Sequence, residues 1–414
     1  MVDYATHLDW IKGQKDHMVS LVERWAAVNS GSRNITGLNA LLDLLSDDFS
    51  ALGGEMRSLS LPPQTMVDGR GEPTEVPLGK ALSIVKRPSA SLKVFLGIHY
   101  DTVFEAEHPF QECSRIDGDR LKGPGVADAK GGLAVMLTAL VALERSPWAE
   151  SIGWEIFINP DEEIGSPGSA ELLRAAAKRN HLALLFEPAL PGGALVSARR
   201  GSGNFTVVVR GRAAHAGRNP GEGRNAIHLL SEFIVRLNAM HADRTGVTIN
   251  VGWLGGGGPA NVVPDFCQCR FNARVTSDAD REIFDANLGA LVDELNGRDG
   301  FSVRLWGDFA RPPKPLDDAT LRALKHFARC GEEIGLSVQW QPSGGASDGN
   351  ILAAAGLTTV DSLGVRGQGI HTSEEYLFLD SLTERAQLAA LFLLKLASGE
   401  IRWLEEVTDY TRVH

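Results

Sequence analysis

The chain has 414 residues, 43% of them hydrophobic and 22% charged, and a net charge of -11. A single core rarely grows past roughly 250–300 residues, so two domains are the first expectation. The acidic balance argues against a nucleic-acid partner, whose phosphates need a basic footprint. It leaves small substrates open, because the local field in a cleft decides those.

The N-terminal stretch MVDYATHLDWIKGQKDHMV has no basic region followed by an apolar core. No run approaches the roughly 20 apolar residues of a membrane span. Neither a secretory leader nor a membrane partner is expected, and a cytoplasmic location is. Cys113, Cys267, Cys269 and Cys330 show no zinc-finger spacing. Cys267 and Cys269 share one face of a strand-like run and read as packing, and reduced thiols fit that location.

In chain order, Met18, Leu21, Val22, Trp25 and Val28 mark a helix over 14–29, and Leu38, Leu41, Leu42 and Leu45 repeat the pattern. Short apolar runs at Leu82–Val85, Val94–Ile98, Trp154–Ile158 and Leu182–Phe186 read as strands. Helices are expected at Gly132–Leu143 and Ala170–Ala177. This alternation predicts an α/β domain with a largely parallel central sheet. After Ser197 the order changes to strand Phe205–Val209, helix Asn225–Leu237, strands Val247–Trp253 and Val262–Val275, helix Arg281–Leu295 and strand Phe301–Leu305. That is the β-α-β-β-α-β order of a ferredoxin-like α+β domain, with the size of an insertion. Pro312, Pro313 and Pro315 mark the return, and helices follow at Leu321–Ile334, Ala346–Ala355 and Leu382–Leu396.

Metal-binding side chains concentrate at the ends of these elements. In GIHYDTV (97–103), His99 and Asp101 follow an apolar strand. A histidine ligand commonly donates its other ring N–H to a carboxylate, and Asp101 stands where that carboxylate would be. In GPGVADAKGG (123–132), Asp128 lies between Gly125 and Gly131-Gly132. Lys130 precedes the glycines, so this is no phosphate loop. A carboxylate on such a turn can bridge two cations. NPDEEIGS (159–166) places Asp161, Glu162 and Glu163 in a row, which repel one another unless a cation sits among them. A solvated turn is the alternative, but the preceding strand delivers these acids to the carboxyl edge of a sheet, where open α/β folds bind ligands. Glu187 in LFEP ends another strand in the same way, and GIHTSEE (369–375) supplies His371.

Taken together, H-x-D, G-x-x-D-x-K-G-G, D-E-E and the late G-x-x-H-x-x-x-E resemble the di-zinc metallopeptidases that include aminoacylases, succinyl-diaminopimelate desuccinylase, tripeptidases and glutamate carboxypeptidase. The resemblance runs from about residue 95 to 378. It leans to the glutamate carboxypeptidase branch through LFEP, through NVVP (261–264) with Arg274 following, and through GGASD (344–348).

The resemblance implies a discontinuous catalytic di-zinc domain (1–198 and 311–414) and an inserted dimerisation or lid domain (199–310). It implies that Asp128 bridges two Zn²⁺ ions per subunit, with His99 and Glu187 completing one site and Glu163 and His371 the other. Co²⁺ or Mn²⁺ are possible substitutes. Glu162 would be the general base, Asp101 would orient His99, and the peptide after Asp128 would be cis. His215 would reach across a homodimer to stabilise the oxyanion. Asn261 and Arg274 would bind the substrate carboxylate, with Arg311 and the backbone of Gly344 and Gly345 as further candidates. The remaining histidines, His108 and His228 among them, are read as structural or surface residues.

Two His and three carboxylates suit Zn²⁺. Two Zn²⁺ ions would only balance Asp128, Glu163, Glu187 and Glu162, so arginine must supply charge for an anionic substrate. The expected activity is cleavage of an amide bond next to a free carboxylate, releasing an amino acid such as glutamate. The small carboxylate-bearing amide could instead be an N-acyl amino acid or a dipeptide. A catalytically silent zinc-binding protein is the reading from another class, and the presence of both Glu162 and His215 speaks against it.

Overall fold

A computed structural model describes residues 3–241 and 246–406. Its central sheet has six strands in the order Glu55–Ser60, Lys80–Lys86, Ile152–Asn159, Leu92–His99, Leu182–Leu185 and Thr359–Val360. The last four pair in parallel and the first two are antiparallel. Parallel strands are covered on both faces, which is why Leu92–His99 and Ile152–Asn159 read as unbroken apolar runs. Side chains alternate between faces. Val94, Leu96 and Ile98 enter the larger core with helices Lys15–Ala26, Gly131–Glu144 and Asp380–Ser398. Phe95 enters a smaller core with helices Ala170–Ala177 and Asp348–Ala354.

One sequence expectation needs correction. The segment Val126–Glu144 is, by length and composition, apolar enough to cross a membrane. It is the core helix: 94% of that window is buried inside the protein, where packing against the sheet and Asp380–Ser398 demands apolar residues all round.

Residues beyond Ser197 build a separate four-stranded antiparallel sheet, ordered Thr248–Gly256, Phe266–Val275, Gly201–Arg210, Ser302–Arg311. Helices Ala226–Asn238 and Asp278–Asn296 pack on one face around Phe205, Phe233, Phe271, Phe284 and Phe309. Cys267 and Cys269 are buried in that same core as free thiols. The strand expected over Val262–Val275 is broken. Val262–Val263 pairs with Ala214–His215, and the large sheet resumes at Phe266. Pro264 stands at the break and has no N–H to give a ladder.

The sheet's other face is met by a hairpin from the first part of the chain, Gln64–Val67 with Pro73–Val76. Gln268, fully buried, donates from Nε2 to the Asp68 carbonyl at 3.0 Å. Arg270 reaches the Val67 carbonyl at 3.2 Å, and Arg210 the Arg70 carbonyl at 2.7 Å. At the hairpin's tip Gly71 has φ +78°, and a Cβ there would come within 2.6 Å of the Val208 side chain. Only glycine accepts both demands.

Candidate metal centre

His99 is the last residue of the central strand and is almost fully buried. Its Nδ1 lies 3.0 Å from the Asp101 backbone oxygen and 3.3 Å from Asp101 Oδ1. That leaves Nε2 facing inward, 3.0 Å from Asp128 Oδ1 and 3.7 Å from Glu187 Oε2. The other oxygen of Asp128 faces the opposite way. Asp128 Oδ2 is 3.2 Å from His371 Nε2, which is 3.1 Å from Glu163 Oε2. The Asp128 carboxylate thus divides its oxygens between two trios. Asp128 sits on the turn Val126–Lys130, entered through left-handed Gly125, and the Asp128–Ala129 peptide is cis.

Asp101 does more than face His99. It also accepts N–H bonds from Glu162 and Glu163 at 3.2 Å and the Ser32 hydroxyl at 2.6 Å. One buried carboxylate therefore fixes both the imidazole and the backbone of the neighbouring acids, which their spacing in the sequence does not reveal. Of the three acids in a row, Asp161 turns away from the cluster. It accepts from the backbone of Gly168 and Ser169 and from the Ser169 hydroxyl. Glu162 points at Arg311, with Oε1 2.7 Å from Nη2.

The electrostatics are those of a cluster short of positive charge. Burial pushes the Glu163 carboxyl up to about 7, with Asp128 adding to it. Burial likewise raises Glu187 and carries Glu162 well above the carboxylate range. Burial alone would depress His99, but Glu187, Asp101 and Asp128 outweigh it and raise it well above its ordinary value. Hydrogen bonds to Asp128 and Glu163 raise His371 to about 11. Divalent cations among these acids would supply the positive charge the cluster lacks. The geometry also fits. Ligands about 2.0–2.2 Å from a tetrahedral Zn²⁺ lie about 3.3–3.6 Å apart. The four contacts above run from 3.0 to 3.7 Å. The ligand atoms of His99, Asp128 and Glu163 lie within 4.8 Å of one another. N and O donors gathered in this way suit divalent metal ions.

The residues expected to contact substrate are less tightly gathered. Arg274 Nη1 donates to the Gly344 carbonyl at 2.6 Å, from the second sheet to the loop after the strand Trp340–Ser343. Gly345 O accepts from Arg199 at 3.1 Å, and Arg199 forms a buried two-point pair with Asp361. Burial lowers the Arg274 guanidinium, and the charges of Arg200 and Arg311 lower it further, so three arginines share one field. Arg200 was not singled out from the sequence, where the Arg199-Arg200 doublet was the available signal. His215 and Asn261 lie exposed on the second unit, tied by the Ala216 N–H to the Asn261 carbonyl at 2.9 Å. The His215 Nδ1 accepts from the backbone of Gly217 and Arg218, which leaves Nε2 outward.

The profile of peptidase family M20/M25/M40 matches residues 95–395. Carboxypeptidase G2 of Pseudomonas sp. (strain RS-16) is 29% identical over 325 residues, covering 73% of each chain. Succinyl-diaminopimelate desuccinylase of Hahella chejuensis is 29% identical over 342 residues, 77% of this chain and 86% of that one. Among solved structures, the dipeptidase Dug1p of Saccharomyces cerevisiae superposes with a TM-score of 0.73 over 96% of this chain and 99% of its own, at 15% identity, a likeness of fold.

Proposed function

This chain belongs to peptidase family M20/M25/M40, and from that premise we propose a two-cation hydrolase that cleaves an amide bond beside a free carboxylate, in the manner of a glutamate carboxypeptidase. The observation that carries the reading is the division of Asp128, one oxygen toward His99 and Glu187, the other toward His371 and Glu163.

A pair of divalent cations, Zn²⁺ by the donor set, supplies Lewis-acid polarisation of the scissile carbonyl and an acidic water. The chain's own residues do the rest. Glu162 takes a proton from the attacking water and hands it to the leaving nitrogen. Its burial favours a carboxyl ready to hold that proton. Asp101 keeps His99 in one orientation and the backbone of Glu162 and Glu163 in place. Arg274, with Arg200 and Arg311 in the same field, attracts the substrate carboxylate. Asn261 and the Gly344-Gly345 backbone complete that contact. Residues 199–310 serve as a lid that presents His215 across a homodimer to the oxyanion.

The similarity to a desuccinylase keeps an N-acyl-amino-acid amidohydrolase as the second reading. The test is hydrolysis by metal-loaded protein of C-terminal glutamyl amides, N-acyl amino acids and dipeptides, with metal content measured in parallel. Preference for glutamyl amides is expected. A stronger preference for N-acyl amino acids would favour the second reading. Full loading with no turnover on any set would sink both.

A further inference from the structure

Glu375 is buried to 1% exposure, and its carboxylate accepts three backbone N–H bonds from the turn that carries Asp128. Gly125 N–H reaches Oε2 at 3.2 Å, and the N–H groups of Ala127 and Asp128 reach Oε1 at 2.9 and 3.0 Å. The Glu375 carbonyl accepts a fourth bond, from Gly123 N–H at 3.2 Å. The turn needs such a partner. Asp128 and Ala129 have non-helical backbone angles, so the N–H groups around them find no regular ladder in a place where water does not reach.

The same residue belongs to the loop of His371. Thr372 N–H bonds the Gly369 carbonyl at 3.0 Å and Glu375 N–H bonds the Thr372 carbonyl at 3.1 Å, so His371 and Glu375 lie in two successive turns joined at Thr372. His371 and Asp128 come from segments far apart in the chain, yet their facing atoms are 3.2 Å apart. Among the bonds at the centre, those of Glu375 tie these two segments together directly.

We propose that Glu375 is the positioning residue of the metal centre: it clamps the Asp128 turn to the His371 loop and so sets the cation affinity of the site built from Asp128, Glu163 and His371. This rests on the two-cation reading above. The site of His99 and Glu187 depends on it less, because those two ligands stand at the ends of neighbouring parallel strands. A carboxylate is the right group for the task. It offers acceptors on both oxygens, whereas the amide of a glutamine turns a donor toward one of the three N–H groups.

The test uses metal-stripped wild type, Glu375→Gln and Glu375→Asp, the latter as a second variant should the first fail to fold. Each is titrated with Co²⁺, read by its visible absorption, and with Zn²⁺, read by calorimetry. Wild type should take up two ions. Both variants should bind at the His371 site about 10–100-fold more weakly, with an altered Co²⁺ band for that site and a smaller change at the other. Two ions in wild type with unchanged affinities and spectrum in the variants would overturn the inference alone. Equal weakening of both sites would also overturn it, since it marks general loosening. Wild type that takes up no divalent cation would remove the functional reading first.

Discussion

Arg311 places Nη2 2.7 Å from the Glu162 carboxylate and 2.7 Å from the Glu162 carbonyl oxygen. The last residue of the strand Ser302–Arg311, from the second sheet, therefore holds the acid assigned as base on the first. Ser166 accepts from the same nitrogen at 3.1 Å, and Asp348 stands 3.5 Å away. Arg311 Nε has no hydrogen-bond partner. One guanidinium charge is thus shared between two buried carboxylates.

Removing that cation should be costly. Arg311→Met leaves Glu162 and Asp348 buried without their partner, at about 3–5 kcal/mol of stability. Arg311→Lys should recover part of this, since a point charge cannot copy the planar fork. Urea midpoints of the three proteins measure it. A loss below about 1 kcal/mol for Arg311→Met would show that the pair adds little.

Chelation should abolish turnover and lower the melting temperature together. A cation held at 1,000 times its dissociation constant stabilises the folded state by about 4 kcal/mol. Zn²⁺, and to a lesser degree Co²⁺ or Mn²⁺, should restore both. Turnover that survives complete removal of metal, verified by elemental analysis, contradicts the assignment of the cluster.

The roles of Glu162 and His215 can be separated by complementation. Glu162→Gln should keep both cations while losing about 10²–10⁴ in rate. His215→Ala should keep them too, and lose about 10²–10³. If His215 serves the partner's site, mixing the two inactive variants restores part of the activity. No recovery in a mixture shown to exchange subunits would place His215 outside the partner's chemistry.

Stability at acid pH should depend on Asp361. Burial alone would raise its carboxyl, but Arg199, Lys314 and the Ser347 hydroxyl outweigh that and hold it below the ordinary range. A depressed folded value means the contribution is complete above the unfolded value, about 3.9, and fades as the pH falls through the folded one. Asp361→Asn should unfold more readily at neutral pH and show a flatter acid limb. An unchanged acid limb in denaturation curves would show that other carboxylates dominate.

The cluster was largely legible in the sequence because most of its side chains sit where periodic apolar runs stop. His99 ends Leu92–His99, the acids follow Ile152–Asn159, and Glu187 follows Leu182–Leu185. A buried parallel strand has a simple signature, and so do its carboxyl ends. The hairpin Gln64–Val67/Pro73–Val76 was not legible, because its strands are short and mix polar with apolar residues. Its partners Gln268, Arg270 and Arg210 lie about two hundred or fewer positions away with no pattern in common. The break at Pro264 was visible as a residue, yet not as a change of sheet.

Residue chemistry and spacing along the chain singled out the candidate cation-binding groups and the acid beside them, since those are local properties of strand ends and turns. Pairing across the fold was left to tertiary structure: which oxygen of Asp128 faces which histidine, that Asp101 holds the backbone of Glu162 and Glu163, that Arg311 closes on Glu162, and that Glu375 braces the Asp128 turn. These contacts join segments dozens to hundreds of residues apart. Their distances follow from how two sheets and their covering helices pack, and no periodicity within one segment encodes them.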